Sequence, residues 1–142
     1  MSSLRVKDVM KEWVKVSPET TVTELAKTLE RHATGSALVF ENGTPLGVVT
    51  ERDILRKVVA TGKDPAYVTV KRIMNSPVIT IDANEDVSKA SEIMDKKMIR
   101  RLAVVSDGKI IGKITTNIVS KNIRYIIGRE LTHYRPYEEE RV

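Results

Sequence analysis

Two hydrophobic periods alternate along this chain, and the alternation runs twice. Thr21-x-x-Glu24 has capping-box form, and Val22, Leu25, Ala26 and Leu29 follow at i, i+3, i+4 and i+7, predicting a helix with one buried face. Ala37-Leu38-Val39-Phe40 is a short apolar run of strand type. Asn42-Gly43 supplies a tight turn, and Leu46-Gly47-Val48-Val49-Thr50 the returning strand. Ile54, Leu55, Val58 and Val59 space a second helix that Thr61-Gly62 ends. The second pass has Asp86 at the cap, a stripe of Val87, Ala90 and Met94 with Ile93 beside it, and the strand Leu102-Ala103-Val104-Val105. An Asp107-Gly108 turn leads to the return Lys109–Thr115, and Ile118, Val119, Ile123, Ile126 and Ile127 mark a closing helix.

Residue identities repeat along with the pattern. Val6-Lys7-Asp8-Val9-Met10 returns as Val70-Lys71-Arg72-Ile73-Met74, an offset of 64 (70 − 6). Gly43…Gly47-Val48-Val49-Thr50 returns as Gly108…Gly112-Lys113-Ile114-Thr115, an offset of 65 (108 − 43). A duplication of this size predicts two similar lobes facing across a pseudo-symmetric cleft. Either half alone would be marginal by surface-to-volume scaling, so the two are expected to fold as one unit. The expected division is residues 1–62, a linker over 63–69, a second copy over 70–128, and a tail over 129–142 that belongs to neither.

Composition narrows the function classes. Lys plus Arg number 24 against 19 Asp plus Glu, a net charge of +5 that favours anionic partners. With only 4% aromatic residues there is little material for base stacking, so nucleic acid is the weaker partner. Cysteine and glutamine are absent and 30% of residues are charged, which leans towards a heat-adapted source. No apolar run approaches the ~20 residues that span a bilayer, and the amino terminus has no signal-type stretch, giving the expectation of a cytoplasmic protein without membrane contact. His32 and His133 lie far apart, so no metal site is expected. No nucleophile–base–orienter set is visible, and Glu51 is the only base near a candidate site, so the chain is not expected to be an enzyme.

Gly47-Val48-Val49-Thr50-Glu51-Arg52-Asp53 sits where a strand meets a helix. Thr50 and Asp53 are three apart, which suits a capping box. The same position suits an anion at a helix amino terminus and a carboxylate accepting two ribose hydroxyls. Both readings stand on these residues alone.

The ordered set of Val-x-Asp-Val-Met, Val-Ser-Pro-Glu-Thr-Thr-Val, a helix, Ser-Ala-Leu-Val, an Asn-Gly turn and Gly-x-x-Thr-x-x-Asp resembles the cystathionine-β-synthase (CBS) domain. Two in tandem, over about residues 5–127, resemble a CBS pair or Bateman module. The resemblance implies an α/β (α+β) fold of two β-α-β-β-α motifs packed as a pseudo-two-fold pair, with clefts for AMP, ADP, ATP or S-adenosylmethionine. It implies that Asp53 holds ribose, with Thr50 assisting and Arg52 beside them. Adenine would lie near Val14, Lys15, Val16, Ser36, Ala37 and Val48. Arg100 and Arg101 would point across the cleft at phosphate, the planar guanidinium binding oxygens in pairs. The second copy has Ile118 where Asp53 stands, and losing a charge-assisted hydrogen bond costs about 1.5–3 kcal/mol. A weaker second site is therefore expected, drawing on Thr80, Leu102, Thr115 and Asn117. The resemblance further implies a stand-alone regulatory sensor with a nucleotide as regulatory ligand, no catalytic cofactor, a homodimer through the apolar helices, and a protein partner that reads the change.

Overall fold

The computed structural model describes residues 4–122. Two three-stranded sheets carry the fold. In the first, β1 (Lys15–Val16), β2 (Ser36–Glu41) and β3 (Thr44–Thr50) lie in that order; in the second, β4 (Thr80–Asp82), β5 (Arg101–Ser106) and β6 (Lys109–Thr115) repeat it. In each sheet the first strand pairs parallel to the second, and the second and third form an antiparallel hairpin. The hairpin turns use Asn42 (φ 50) with Gly43 (φ 78), and Asp107 (φ 51) with Gly108 (φ 75), the two successive positive-φ residues that match strand twist. Register shifts fall at matching places, between Val39 and Phe40 and between Val104 and Val105. The expected mixed α/β fold of two duplicated motifs is present.

Two long helices cover the sheets. In α2 (Val22–Arg31) the Thr21 hydroxyl accepts the Glu24 N–H at 3.2 Å, while the Glu24 carboxylate lies 3.8 Å from Lys27. α4 (Val87–Lys97) is capped by Asp86, whose Oδ1 accepts the Ser88 N–H at 2.8 Å, and it buries Val87, Ala90 and Met94 as expected. The helix after β3 begins as one α-turn, α3 (Glu51–Ile54), and widens to a π-helix over Leu55–Val59, closed by the Ala60 N–H donating to the Leu55 carbonyl. That widening rotates side chains away from 3.6-residue spacing. Val58 is buried, whereas Leu55 and Val59 are exposed. Residues 116–122 are helical, with Ile118 and Val119 buried; Ile123, Ile126, Ile127, His133 and the tail over 129–142 lie outside the described residues.

The two copies exchange their opening segments. Val6, in α1 (Val6–Val9), packs with Ile81, Val87, Leu102 and Ile114 of the second copy. Its repeat counterpart Val70 packs with Val22, Leu25 and Val49 of the first. The stretch over 63–69 is no free connector, because Val68 is buried there and its carbonyl accepts the Val22 N–H at 2.8 Å. A third cluster of Trp13, Leu38 and Ala103 lies between the sheets. Backbone bridges complete the exchange: Asn75 pairs with Val48 of β3, and Lys11 with Lys113 of β6. Two glycines allow that approach, since a Cβ on Gly47 would stand 2.6 Å from the Asn75 carbonyl oxygen, and one on Gly112 would stand 2.8 Å from that of Lys11.

Candidate functional site

Thr50 ends β3 in extended conformation and caps α3. Its Oγ1 accepts the Asp53 N–H at 3.1 Å, and Asp53 Oδ2 accepts the Thr50 N–H at 2.8 Å. The capping box exists, and the same carboxylate also lines a cavity of about 520 Å³ between the copies. A volume of this size suits a small ligand. Asp53 is only 8% exposed, and its charge is met by two groups besides Thr50. Asn75 Nδ2 donates to Oδ2 at 2.8 Å, and Lys57 Nζ lies 3.2 Å from Oδ1. Lys57 also donates to the Ile73 carbonyl at 2.9 Å and to Asn75 Oδ1 at 3.2 Å, so Asp53, Lys57 and Asn75 form a closed polar ring. Oδ2 already has three donors, counting the Thr50 hydroxyl at 3.0 Å, whereas Oδ1 has the ammonium alone. A hydroxyl-bearing ligand therefore meets Asp53 through Oδ1 or by displacing Asn75.

The cavity lining is cationic on both sides, from Arg52 and Arg56 on the helix of Asp53 and from Arg100 and Arg101 of the second copy. Arg52, Arg56, Arg100 and Arg101 all line the cavity, with Asp53 the single carboxylate among its lining residues. Burial is the largest influence on Arg101 and works against its charge; Asp53 opposes that shift. Among the described residues no carboxylate forms an ion pair with Arg101, and its Nε is buried without a hydrogen-bond partner. A guanidinium in this state has donors to spare for an anion.

The structure brings Val48, Thr50, Arg52, Asp53, Arg100 and Arg101 to one cavity. It does not bring the other expected base contacts there. Val14, Lys15 and Val16 line a different, larger groove of about 1070 Å³ that runs along α2. The reason is strand order: β2 stands between β1 and β3, so β1 occupies the sheet edge remote from Asp53. Pro77 and Ile79 of the second copy and Ala103 of β5 take that place. Ala37 is fully buried in the first core, and Ser36 accepts a hydrogen bond from Lys113. The residues expected at the weaker site lie apart from the Asp53 cavity. Leu102 is buried in the second core, Thr115 accepts the Ile118 N–H at 3.1 Å, Thr80 and Asn117 are exposed, and none of these four lines either cavity. Glu51 lines a third pocket and not the Asp53 cavity.

Asn75, which the sequence offers only as a weaker phosphate candidate beside Lys71 and Arg72, lines the cavity; Lys57, Arg56 and Lys113 were not singled out. The signal for Asn75 was its place directly after the repeated Met74; that for Lys113 was a lysine inside the second Gly-x-x-Thr. Trp13 lines both the Asp53 cavity and the α2 groove, and its Nε1 is buried without a partner. Among the described residues no group of three or more side chains is arranged to hold a metal ion, and no helix is long and apolar enough to cross a membrane.

Two like α/β lobes sharing an arginine-lined cleft define a duplicated two-domain module with its candidate site between the copies. The family described as the CBS domain matches residues 6–60 and again 70–124, and the chain belongs to it, as a tandem pair. An uncharacterized protein of Methanopyrus kandleri is 36% identical over 126 residues; the match covers 87% of this chain and 64% of that protein's length. The CBS-domain containing protein ATU1752 of Agrobacterium tumefaciens superposes with TM-score 0.78 at 29% identity, covering 84% of this chain and 99% of the other. The CBS domain pair of protein MJ0100, solved in complex with 5′-methylthioadenosine and S-adenosyl-L-methionine, superposes with TM-score 0.79 at 26% identity, covering 88% and 99%.

Proposed function

We propose that this CBS pair is a regulatory binding module whose Asp53 cavity takes an adenine nucleotide: AMP, ADP or ATP. One observation carries the reading: Asp53 of the first copy and Arg101 of the second line the same cavity. The carboxylate suits a ribose diol, and the arginines suit phosphate oxygens. The solved relative that holds S-adenosyl-L-methionine and 5′-methylthioadenosine supports an adenosine moiety as the common part of the ligand. Charge then separates the candidates. Four arginines against one carboxylate favour an anionic ligand over a sulfonium cation.

A ligand in contact with both copies shifts their relative placement only by its differential affinity for the two arrangements. The opening segments exchanged between the copies give such a shift a route to the rest of the molecule. Exposed Leu55 and Val59, one π-turn after Asp53, are the apolar surface we assign to a homodimer, and an unidentified protein partner would read the change. No catalytic step is assigned to the chain.

Calorimetric titration with AMP, ATP and S-adenosylmethionine, on the wild type and on Asp53→Ala, tests the reading. A nucleotide bound at the level of one per chain, and weakened by the substitution, is the expected result. Binding of S-adenosylmethionine in preference to both nucleotides overturns the charge argument, and binding unaffected by Asp53→Ala overturns the ribose role.

A further inference from the structure

The 64- and 65-residue offsets of the repeat map the Asp53 cavity onto the inner end of the α2 groove. Asn75 and Ile79 become Lys11 and Val14; Ile99 becomes Thr34, and Val48 becomes Lys113; all four counterparts line the groove. The groove is thus the pseudo-symmetric mate of the candidate site, and one of its differences is decisive. Val48 in the first copy presents a short apolar side chain, whereas Lys113 sends a long cationic one across the cleft. Its Nζ donates to Thr34 Oγ1 at 2.9 Å and to Ser36 Oγ at 3.3 Å, and stands 5.3 Å from the centre of the Trp13 ring. Ser36 is the repeat counterpart of Arg101, the residue that lines the first site. Lys113 is 7% exposed, although no carboxylate pairs with it among the described residues.

We infer that Lys113 is an internal occupant of the mirror cleft: its ammonium fills the polar positions a second ligand would use, and so limits the chain to one nucleotide. This rests on the nucleotide reading of the Asp53 cavity. Three physical facts carry it. The ammonium engages the hydroxyls at the two positions whose counterparts, Ile99 and Arg101, line the other cavity. The Trp13 ring, which borders both cavities, provides a cation–π face at the mirror cleft. Ile118, buried at the counterpart of Asp53, puts no carboxylate at that position to draw the lysine away or to grip a ribose.

The test combines stoichiometry with a readout that needs no nucleotide. ATP is titrated calorimetrically into the full chain, into Lys113→Val and into Lys113→Val/Ile118→Asp, each checked for folding by circular dichroism. Ile118 already donates its N–H to Thr115 Oγ1, as Asp53 does to Thr50, so the helix start is prepared for the aspartate. One ATP per wild-type chain and two per double-variant chain is the expected outcome. Two per wild-type chain, or one per folded double variant, overturns the inference while leaving the Asp53 site intact. In parallel, acetic anhydride labelling of the wild type is mapped by mass spectrometry. Lys113 is expected to label about tenfold or more slowly than exposed Lys63, since reaction needs local opening. Equal labelling overturns the inference even if the double variant fails to fold. Absence of any ATP binding by the wild type strikes instead at the nucleotide reading, and the labelling result then still decides where Lys113 resides.

Discussion

Asn75 Nδ2 lies 2.8 Å from Asp53 Oδ2, so a side chain that opens the second copy holds the carboxylate that caps a helix of the first. The bond joins the two copies at the mouth of the cavity they share. The ligand contact proposed for Asp53 and the cohesion of the pair therefore fall on the same atoms.

A pair of substitutions separates these effects. Asp53→Ala is expected to weaken AMP or ATP about ten- to hundredfold, the loss of one charge-assisted hydrogen bond, as read by calorimetry. Asn75→Ala leaves the carboxylate in place and removes a cross-copy tie, so its unfolding free energy from urea titration should fall by about 1 kcal/mol.

Arg101 should discriminate by phosphate. Arg101→Ala is expected to weaken ATP about tenfold or more while leaving adenosine nearly unchanged, and Arg101→Lys to recover only part of the loss, because a point charge cannot bind oxygens in pairs. Equal weakening of ATP and adenosine would place the guanidinium away from the phosphates.

Lys113 gives a pH signature with a definite sign. Burial, then repulsion from Arg101, lowers its proton affinity below the ordinary 10.5. The unfolded chain keeps that proton to higher pH than the folded chain does, so the folded state is penalised below the folded value and relieved as pH rises towards 10.5. Lys113→Met lacks the penalty. Its stability relative to wild type, measured by urea unfolding across alkaline pH, should decline as pH rises through that window.

Gly47→Ala tests the crossing of the two chains of strands. The added Cβ would meet the Asn75 carbonyl oxygen at 2.6 Å and Met74 Sδ at 3.0 Å, and the first of these is backbone that cannot swing aside. A loss of about 1–3 kcal/mol is expected in urea unfolding, the range for overpacking a tight site. Gly43→Ala has open space around its Cβ and should suffer from its φ of +78 alone.

Much of this architecture was legible before any coordinates. Repeated turns at Asn42-Gly43 and Asp107-Gly108, the apolar stripe of α2 and the Thr50/Asp53 spacing are local features, dictated by φ preference, helical period and hydrogen-bond reach, and the chain displays them directly. The family resemblance, the mixed α/β fold and the importance of the interlobe cleft followed from the duplication. What the sequence could not determine was which segments cross between copies. That Val6 packs in the second core and Val70 in the first, that Pro77 and Ile79 stand beside Asp53 where Val14 and Val16 were expected, and that Lys113 reaches Thr34 are long-range pairings. Such pairings depend on strand order and on the close approach that Gly47 and Gly112 permit, and these exist only once both halves have packed against each other.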